Sequence, residues 1–120
     1  MQRWMRFLIV CLLTIGSALA FNFGRDTSSN DWVAVAELPY EAQQTLTLIR
    51  TGGPFPYDRD GIVFGNYEKR LPQHQRGYYQ EYTVKTPGRR DRGPRRIIAG
   101  ERGEYFYTDD HYQTFRRIRE

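Results

Sequence analysis

Three residue types in this chain stand at positions where they can move protons around an anion. Glu81 lies in the run Tyr78–Thr86 (YYQEYTVKT), which alternates like a β-strand. Side chains alternate faces along a strand, so Glu81 shares a face with Tyr79, Thr83 and Lys85, while Tyr82 and Val84 point to the opposite, core side. A second apolar run, Arg95–Ala99 (RRIIA), reads as the returning antiparallel strand. Extended backwards, it gives Arg92, Pro94, Arg96 and Ile98 one parity, and Arg92 and Arg96 then face the same side as Glu81. A carboxylate set between guanidinium groups is held ionised, the form that accepts a proton. His111 sits in a short polar loop, Thr108–Tyr112, and histidine is the side chain best suited to donate a proton near neutral pH. Alone, a Glu–Arg pair reads as a cross-strand salt bridge and a single histidine as a surface residue. Together they describe an acid–base pair beside an anion clamp.

Metal chemistry has little to draw on here. The chain holds two histidines, His74 and His111, and one cysteine, Cys11, with no metal-ligand spacing among them. No cofactor is expected. His74 lies in a polar loop and reads as solvent-exposed.

The elements that must position these groups follow from patterning. Arg3 and Arg6 precede the apolar run FLIVCLLTIG and the small-residue sequence Ser17-Ala18-Leu19-Ala20, which predicts a secretory signal peptide over residues 1–20. The run is shorter than the ~20 residues of a spanning helix, so no membrane attachment is expected after cleavage. Removing it takes two of the 18 basic residues and none of the 14 acidic ones, which leaves 16 against 14, a charge of +2. It also removes Cys11, so the secreted form relies on one small core without a disulfide. The charge is uneven: six arginines and two acidic residues lie between Arg89 and Arg102. Aromatic residues make up 15% of the chain, and rings interleaved with arginines suit stacking on bases and pairing with phosphates.

Residues 21–30 are polar and predict a loose mature N-terminus, with the folded domain over 31–120. Asp31–Glu37 alternates weakly and predicts a first strand. Pro39, Glu41, Ala42, Leu46 and Ile49 carry helix signals, and Gly52-Gly53 stops the run, so a helix is predicted over 39–50. Short strands follow at 62–64, 78–86, 95–99, 105–107 and around Phe115 and Ile118. One main N-terminal helix packed on an antiparallel β-sheet makes this an α+β domain.

In this order the blocks LPYEAQQTLTLI, GPFPYDRDGIVFGNYEKRLP, GYYQEYTV, TPGRRDRGPRRIIAG and YFYTDDHYQTF resemble the microbial guanyl-specific ribonucleases, the small secreted enzymes that include barnase. The resemblance runs from about Val33 to Arg119, nearly all of the secreted chain. The resemblance implies that Glu81 is the general base, His111 the general acid, and Arg92 and Arg96 the phosphate ligands. It further implies metal-independent transphosphorylation of single-stranded RNA to a 2′,3′-cyclic phosphate, then slow hydrolysis to the 3′-phosphate. The segment Phe64-Gly65-Asn66-Tyr67-Glu68 is similar to the family's guanine loop. There a Glu68 carboxylate would accept both N1–H and the exocyclic amine of guanine, backbone amides near Asn66 would serve O6 and N7, and Phe64 or Tyr67 would stack. Tyr112 would form a second wall near the base or phosphate. Two positions depart from the barnase-like pattern: Tyr67 stands where arginine is usual, as in fungal members, and Gly65 replaces a polar residue. The remaining arginines, Arg89, Arg90, Arg95 and Arg102, read as a solvated rim that steers RNA. The resemblance also implies a monomer and a small acidic inhibitor protein of the barstar type. The alternative is a secreted RNA- or polyanion-binding domain on the same fold without activity, or a surface domain with neither role.

Overall fold

The computed structural model describes residues 31–120, so the predicted signal peptide and mature N-terminus lie outside the described residues. Strand β1 (Trp32–Ala34) runs into a 3-10 turn (Val35–Glu37) and then helix α1 (Tyr40–Thr51). Strands β2 (Val63–Phe64), β3 (Tyr79–Thr83), β4 (Arg96–Gly100), β5 (Tyr105–Thr108) and β6 (Arg116–Arg119) follow. They form one six-stranded sheet in the order β1-β6-β5-β4-β3-β2. The α+β architecture is the one the patterning predicts. Every neighbouring pair is antiparallel except β1 with β6, which run parallel, so the sheet is mixed. A parallel pair needs a long crossover, and the whole domain between Ala34 and Arg116 supplies it.

Helix α1 starts after Pro39, whose fixed φ suits a helix entrance. It ends at Gly52, which takes φ +88° and donates its N–H to Leu48 O at 2.9 Å. A left-handed residue here is cheapest as glycine. The helix buries Ala42, Thr45 and Leu46 against one face of the sheet. There they meet Val33, Leu38, Val84, Ile97, Tyr107 and Ile118. Side chains of this size contribute about 1.5–3 kcal/mol each when fully buried, so this layer carries most of the fold. Thr45 Oγ1 also donates to Thr83 O at 3.0 Å, a buried tie from helix to β3.

The opposite face holds a smaller cluster: Leu71, Tyr78, Tyr79, Ile98 and Phe106, with Phe64, Tyr112 and Phe115 packed on it. Ile97 and Ile98 thus serve different cores. This second face carries Glu81 and Thr83, as the strand parity requires.

Candidate active site

Glu81 is fixed through its backbone from both sides. Its carbonyl accepts Gly61 N–H at 2.7 Å and its N–H donates to Ile62 O at 2.9 Å, while across the sheet it pairs with Ile98. The residue is 5% exposed. A carboxylate so buried needs partners, and it has two. Arg92 Nη2 donates to Oε2 at 3.4 Å, and the Tyr112 hydroxyl donates to Oε1.

The two arginines reach the site by different routes. Arg96 opens β4 opposite Thr83 and is 3% exposed. Its Nη1 donates to Gly93 O and Arg95 O, both at 2.8 Å, and its Nε donates to the Tyr112 hydroxyl at 3.1 Å. Tyr112 therefore bridges Arg96 and Glu81. Arg92 is not on an extended β4, so strand parity does not place it; it lies in the turn that precedes the strand. That turn comes close to the sheet only because residue 93 is glycine. Gly93 has φ +65°, and a Cβ there would sit 2.3 Å from Thr86 Oγ1. From the turn Arg92 Nε reaches Thr83 Oγ1 at 2.9 Å, which aims the guanidinium at Glu81.

His111 and Tyr112 sit in a loop with φ of 58° and 76°. Asp110 organises this loop. Its Oδ1 accepts Thr108 Oγ1 at 2.8 Å, Gln113 N–H at 3.1 Å and Thr114 N–H at 3.0 Å, and its Oδ2 accepts Thr114 Oγ1 at 2.6 Å. Burial alone would raise the Asp110 carboxyl, but the bonds from Thr114, Thr108 and Gln113 outweigh it and the net direction is down. His111 N–H donates to Pro94 O at 3.0 Å, tying the loop to the arginine turn. The His111 ring is exposed. Burial first, and then the bond to Glu81, push the Tyr112 phenol up to about 12, so it remains a donor throughout the neutral range.

Two cavities meet at His111. One, of about 470 Å³, is lined by Arg89, Asp91, Arg92, Gly93, Pro94 and His111. The other, of about 290 Å³, is bounded by Phe64, Asn66, Tyr67 and Glu68 on one side and His111, Tyr112 and Phe115 on the other. Phe64 and Tyr112 stack with ring centroids 5.1 Å apart at 26°. The Asn66 side chain is committed to its own loop: Leu71 N–H donates to Oδ1 at 3.1 Å, and Nδ2 donates to Leu71 O at 2.9 Å. Among the described residues no hydrogen bond takes up the backbone amides of Asn66, Tyr67 or Glu68. Glu68 is exposed and accepts Arg70 Nε at 3.0 Å.

The structure thus brings Glu81, Arg92, Arg96, His111 and Tyr112 to one place, and Phe64, Asn66, Tyr67 and Glu68 to the adjoining cavity, with Gly65 against the Tyr67 ring. A group bound in the larger cavity would meet the guanidinium groups of Arg89 and Arg92 and the imidazole of His111, with the Glu81 carboxylate buried behind them on Arg92 and Tyr112. The sequence reading missed several contributors. Thr83, Asp110 and Arg70 set the orientation of others. Arg89, read as rim, lines the larger cavity, held by Asp91 through bonds of 2.9 and 3.0 Å. The Thr108-x-Asp110 spacing, with Thr114 four residues on, was the available signal for a carboxylate-closed turn. His74 is exposed as predicted, but its ring stacks on Tyr78 with centroids 3.7 Å apart. Among the described residues no group of three or more His, Cys, Asp or Glu is arranged to hold a metal.

Comparison with known proteins decides the family. Residues 22–119 match the family described as ribonuclease. The chain is 57% identical over 91 residues to guanyl-specific ribonuclease St of Saccharopolyspora erythraea, covering 76% of this chain and 90% of that one. The chain belongs to the microbial guanyl-specific ribonucleases. Guanyl-specific ribonuclease Sa of Kitasatospora aureofaciens is similar to this ribonuclease at 58% identity over 87 residues, covering 72% and 91% of the two chains. Among solved structures, ribonuclease Sa2 in complex with mononucleotides superposes with a TM-score of 0.74 at 51% identity, covering 75% of this chain and 94% of that one. Sa2 has also been solved with guanosine-2′-cyclophosphate, at a TM-score of 0.72 and 52% identity over 74% of this chain and 95% of that one.

Proposed function

We propose that this enzyme is an endoribonuclease that cleaves single-stranded RNA on the 3′ side of guanosine. Cleavage proceeds by transphosphorylation to a 2′,3′-cyclic phosphate, followed by slower hydrolysis to the 3′-phosphate. The observation that carries this reading is the buried Glu81 carboxylate, joined to Arg92 and, through Tyr112, to Arg96, with His111 on the rim between two cavities. Glu81 takes the proton of the ribose 2′-hydroxyl, and the 2′-oxygen attacks the adjacent phosphorus in line. Guanidinium N–H groups of Arg92 and Arg96 stabilise the charge that grows on the phosphoryl oxygens. Protonated His111 donates to the departing 5′-oxygen. The guanine lies in the smaller cavity, with Glu68 turned from Arg70 to the N1–H and amine of the base, and the backbone amides of 66–68 at its acceptor edge. DNA lacks the 2′-hydroxyl and binds without being cut.

The test is a short RNA with a single guanosine, incubated with the enzyme in EDTA. Cleavage directly 3′ of the guanosine with a cyclic phosphate end is expected, with strong loss in Glu81→Gln and His111→Ala. Cleavage unaffected by either change refutes the assignment. Retained binding without cleavage by the unaltered protein favours the non-catalytic binder.

The same reading extends to the life of the protein. It is secreted as a monomer after cleavage behind Ala20, and N-terminal sequencing of the extracellular protein is expected to begin at Phe21. The exposed Arg89 and Arg90 beside the site fit a small acidic inhibitor protein in the producing cell. Inhibition by that protein that survives Arg89→Glu with Arg90→Glu refutes this docking face.

A further inference from the structure

The smaller cavity is built with a residue that lies outside the guanine loop. Tyr67 is 79% exposed, and a side chain so exposed on a surface loop normally samples several rotamers. Here it is held by three features. Arg76 Nη1, from the loop before β3, donates to the Tyr67 hydroxyl at 2.7 Å. The Arg76 guanidinium carbon lies 5.6 Å from the ring centroid, within the range of a cation–π contact. The ring rests against Gly65, where a Cβ would stand 2.5 Å from Tyr67 Cζ and 3.0 Å from Arg76 Nη1. Gly65 and Tyr67 are the two positions that depart from the barnase-like pattern, and the geometry makes them a single feature. The missing side chain at 65 is what lets the ring and the guanidinium occupy that space.

We propose that Arg76 is a positioning residue for guanine binding, holding the Tyr67 ring over Gly65 as a preformed stacking wall of the base cavity. The proposal rests on residues 64–68 being the base site. A wall already fixed spares the base the ordering of one rotamer-rich side chain, an effect that converts to about three- to tenfold in affinity. Arg76 touches no reacting atom, so its influence falls on KM and leaves kcat alone.

The experiment is a double-mutant cycle on cleavage of guanylyl-3′,5′-cytidine, with adenylyl-3′,5′-cytidine as the competing substrate. Arg76→Met removes the donor, and Tyr67→Phe keeps the ring but removes the acceptor. Each is expected to raise KM for the guanine substrate about three- to tenfold with kcat within a factor of two. The double variant is expected to resemble either single one, because both break the same contact. Arg76→Lys recovers part of the loss, and Gly65→Ala reproduces it by driving the ring and the guanidinium out of the space they share. Unchanged KM in Arg76→Met, losses that multiply in the double variant, or a fall in kcat at constant KM overturns the clasp. If the unaltered enzyme does not prefer the guanine substrate, or Glu68→Gln leaves that preference intact, the base-site reading fails and the clasp with it. A clear guanine preference that depends on Glu68, with no response to Arg76→Met, removes the clasp alone.

Discussion

Replacing Asp110 by alanine tests how the general acid is held in place. Asp110 lines neither cavity, yet its carboxylate closes the turn that presents His111 and Tyr112. Four donors converge on it: two hydroxyls, from Thr108 and Thr114, and two amides, from Gln113 and Thr114. The amides are partly open to water and recover hydration when the carboxylate is removed, so the net cost resembles loss of a helix cap, about 1–2 kcal/mol. A domain of this size loses roughly 4–8 °C of Tm per kcal/mol, so a drop on the order of 5–15 °C is expected in thermal unfolding at neutral pH. Asn at 110 keeps the Oδ1 acceptor for three of the four donors and is expected to fall between alanine and the native residue. The carboxyl is shifted down in the folded state. The stability it contributes is therefore full above its unfolded value and lost as pH falls through the folded one, so the native and alanine proteins converge in Tm toward strongly acid pH. Loosening residues with φ of 58° and 76° also displaces His111. A displacement near 1 Å costs on the order of a hundredfold in rate, and kcat is expected to fall about ten- to a hundredfold with KM little changed. An Asp110→Ala protein with native Tm and native kcat refutes the idea that this carboxylate holds the acid.

Other consequences are as direct. Glu68→Gln replaces one acceptor by an amide donor facing the donors of guanine, and kcat/KM for guanine substrates is expected to fall at least a hundredfold, toward that of adenine substrates, in dinucleotide assays. Arg96→Met leaves Gly93 O, Arg95 O and the Tyr112 hydroxyl without their donor in a buried position; a stability loss of about 1–3 kcal/mol is expected in urea unfolding, together with strong loss of cleavage. Tyr79 and Tyr112 are both pushed up to about 12, burial being the largest cause for each. Their contribution to stability is full below pH 10 and lost as pH rises from 10 to 12, so Tyr112→Phe is expected to flatten the alkaline fall in Tm across that interval.

Much of the fold was legible because its signals are local. Pro39, Gly52 and the apolar spacing between them mark the helix to within one residue at each end, and the alternation around Glu81 assigns both faces of β3 correctly. The parallel pairing of β1 with β6 was not legible, since the strands are three and four residues long and their partnership depends on the closure of the whole domain. In the candidate site, parity put Arg96 on the right face, but Arg92 arrives through a turn whose approach depends on Gly93 and Thr86. The bridge from Tyr112 to Glu81 and Arg96 spans 31 and 16 residues, beyond what spacing in a sequence can reveal. The clasp of Arg76 on Tyr67 was hidden for the same reason, although the glycine at 65 was its visible trace.

Cleavage as proposed requires Glu81 and His111 to act as base and acid on a guanosine phosphodiester. Single-turnover cleavage of an RNA holding one guanosine, with product ends identified by mass, tests this most directly. One cut is expected, 3′ of the guanosine, with a cyclic phosphate that converts slowly to the 3′-phosphate, and loss of at least a hundredfold in both Glu81→Gln and His111→Ala, with folding retained by circular dichroism. Cleavage at other bases, a linear phosphate without a cyclic precursor, or full activity in either folded variant contradicts the proposal.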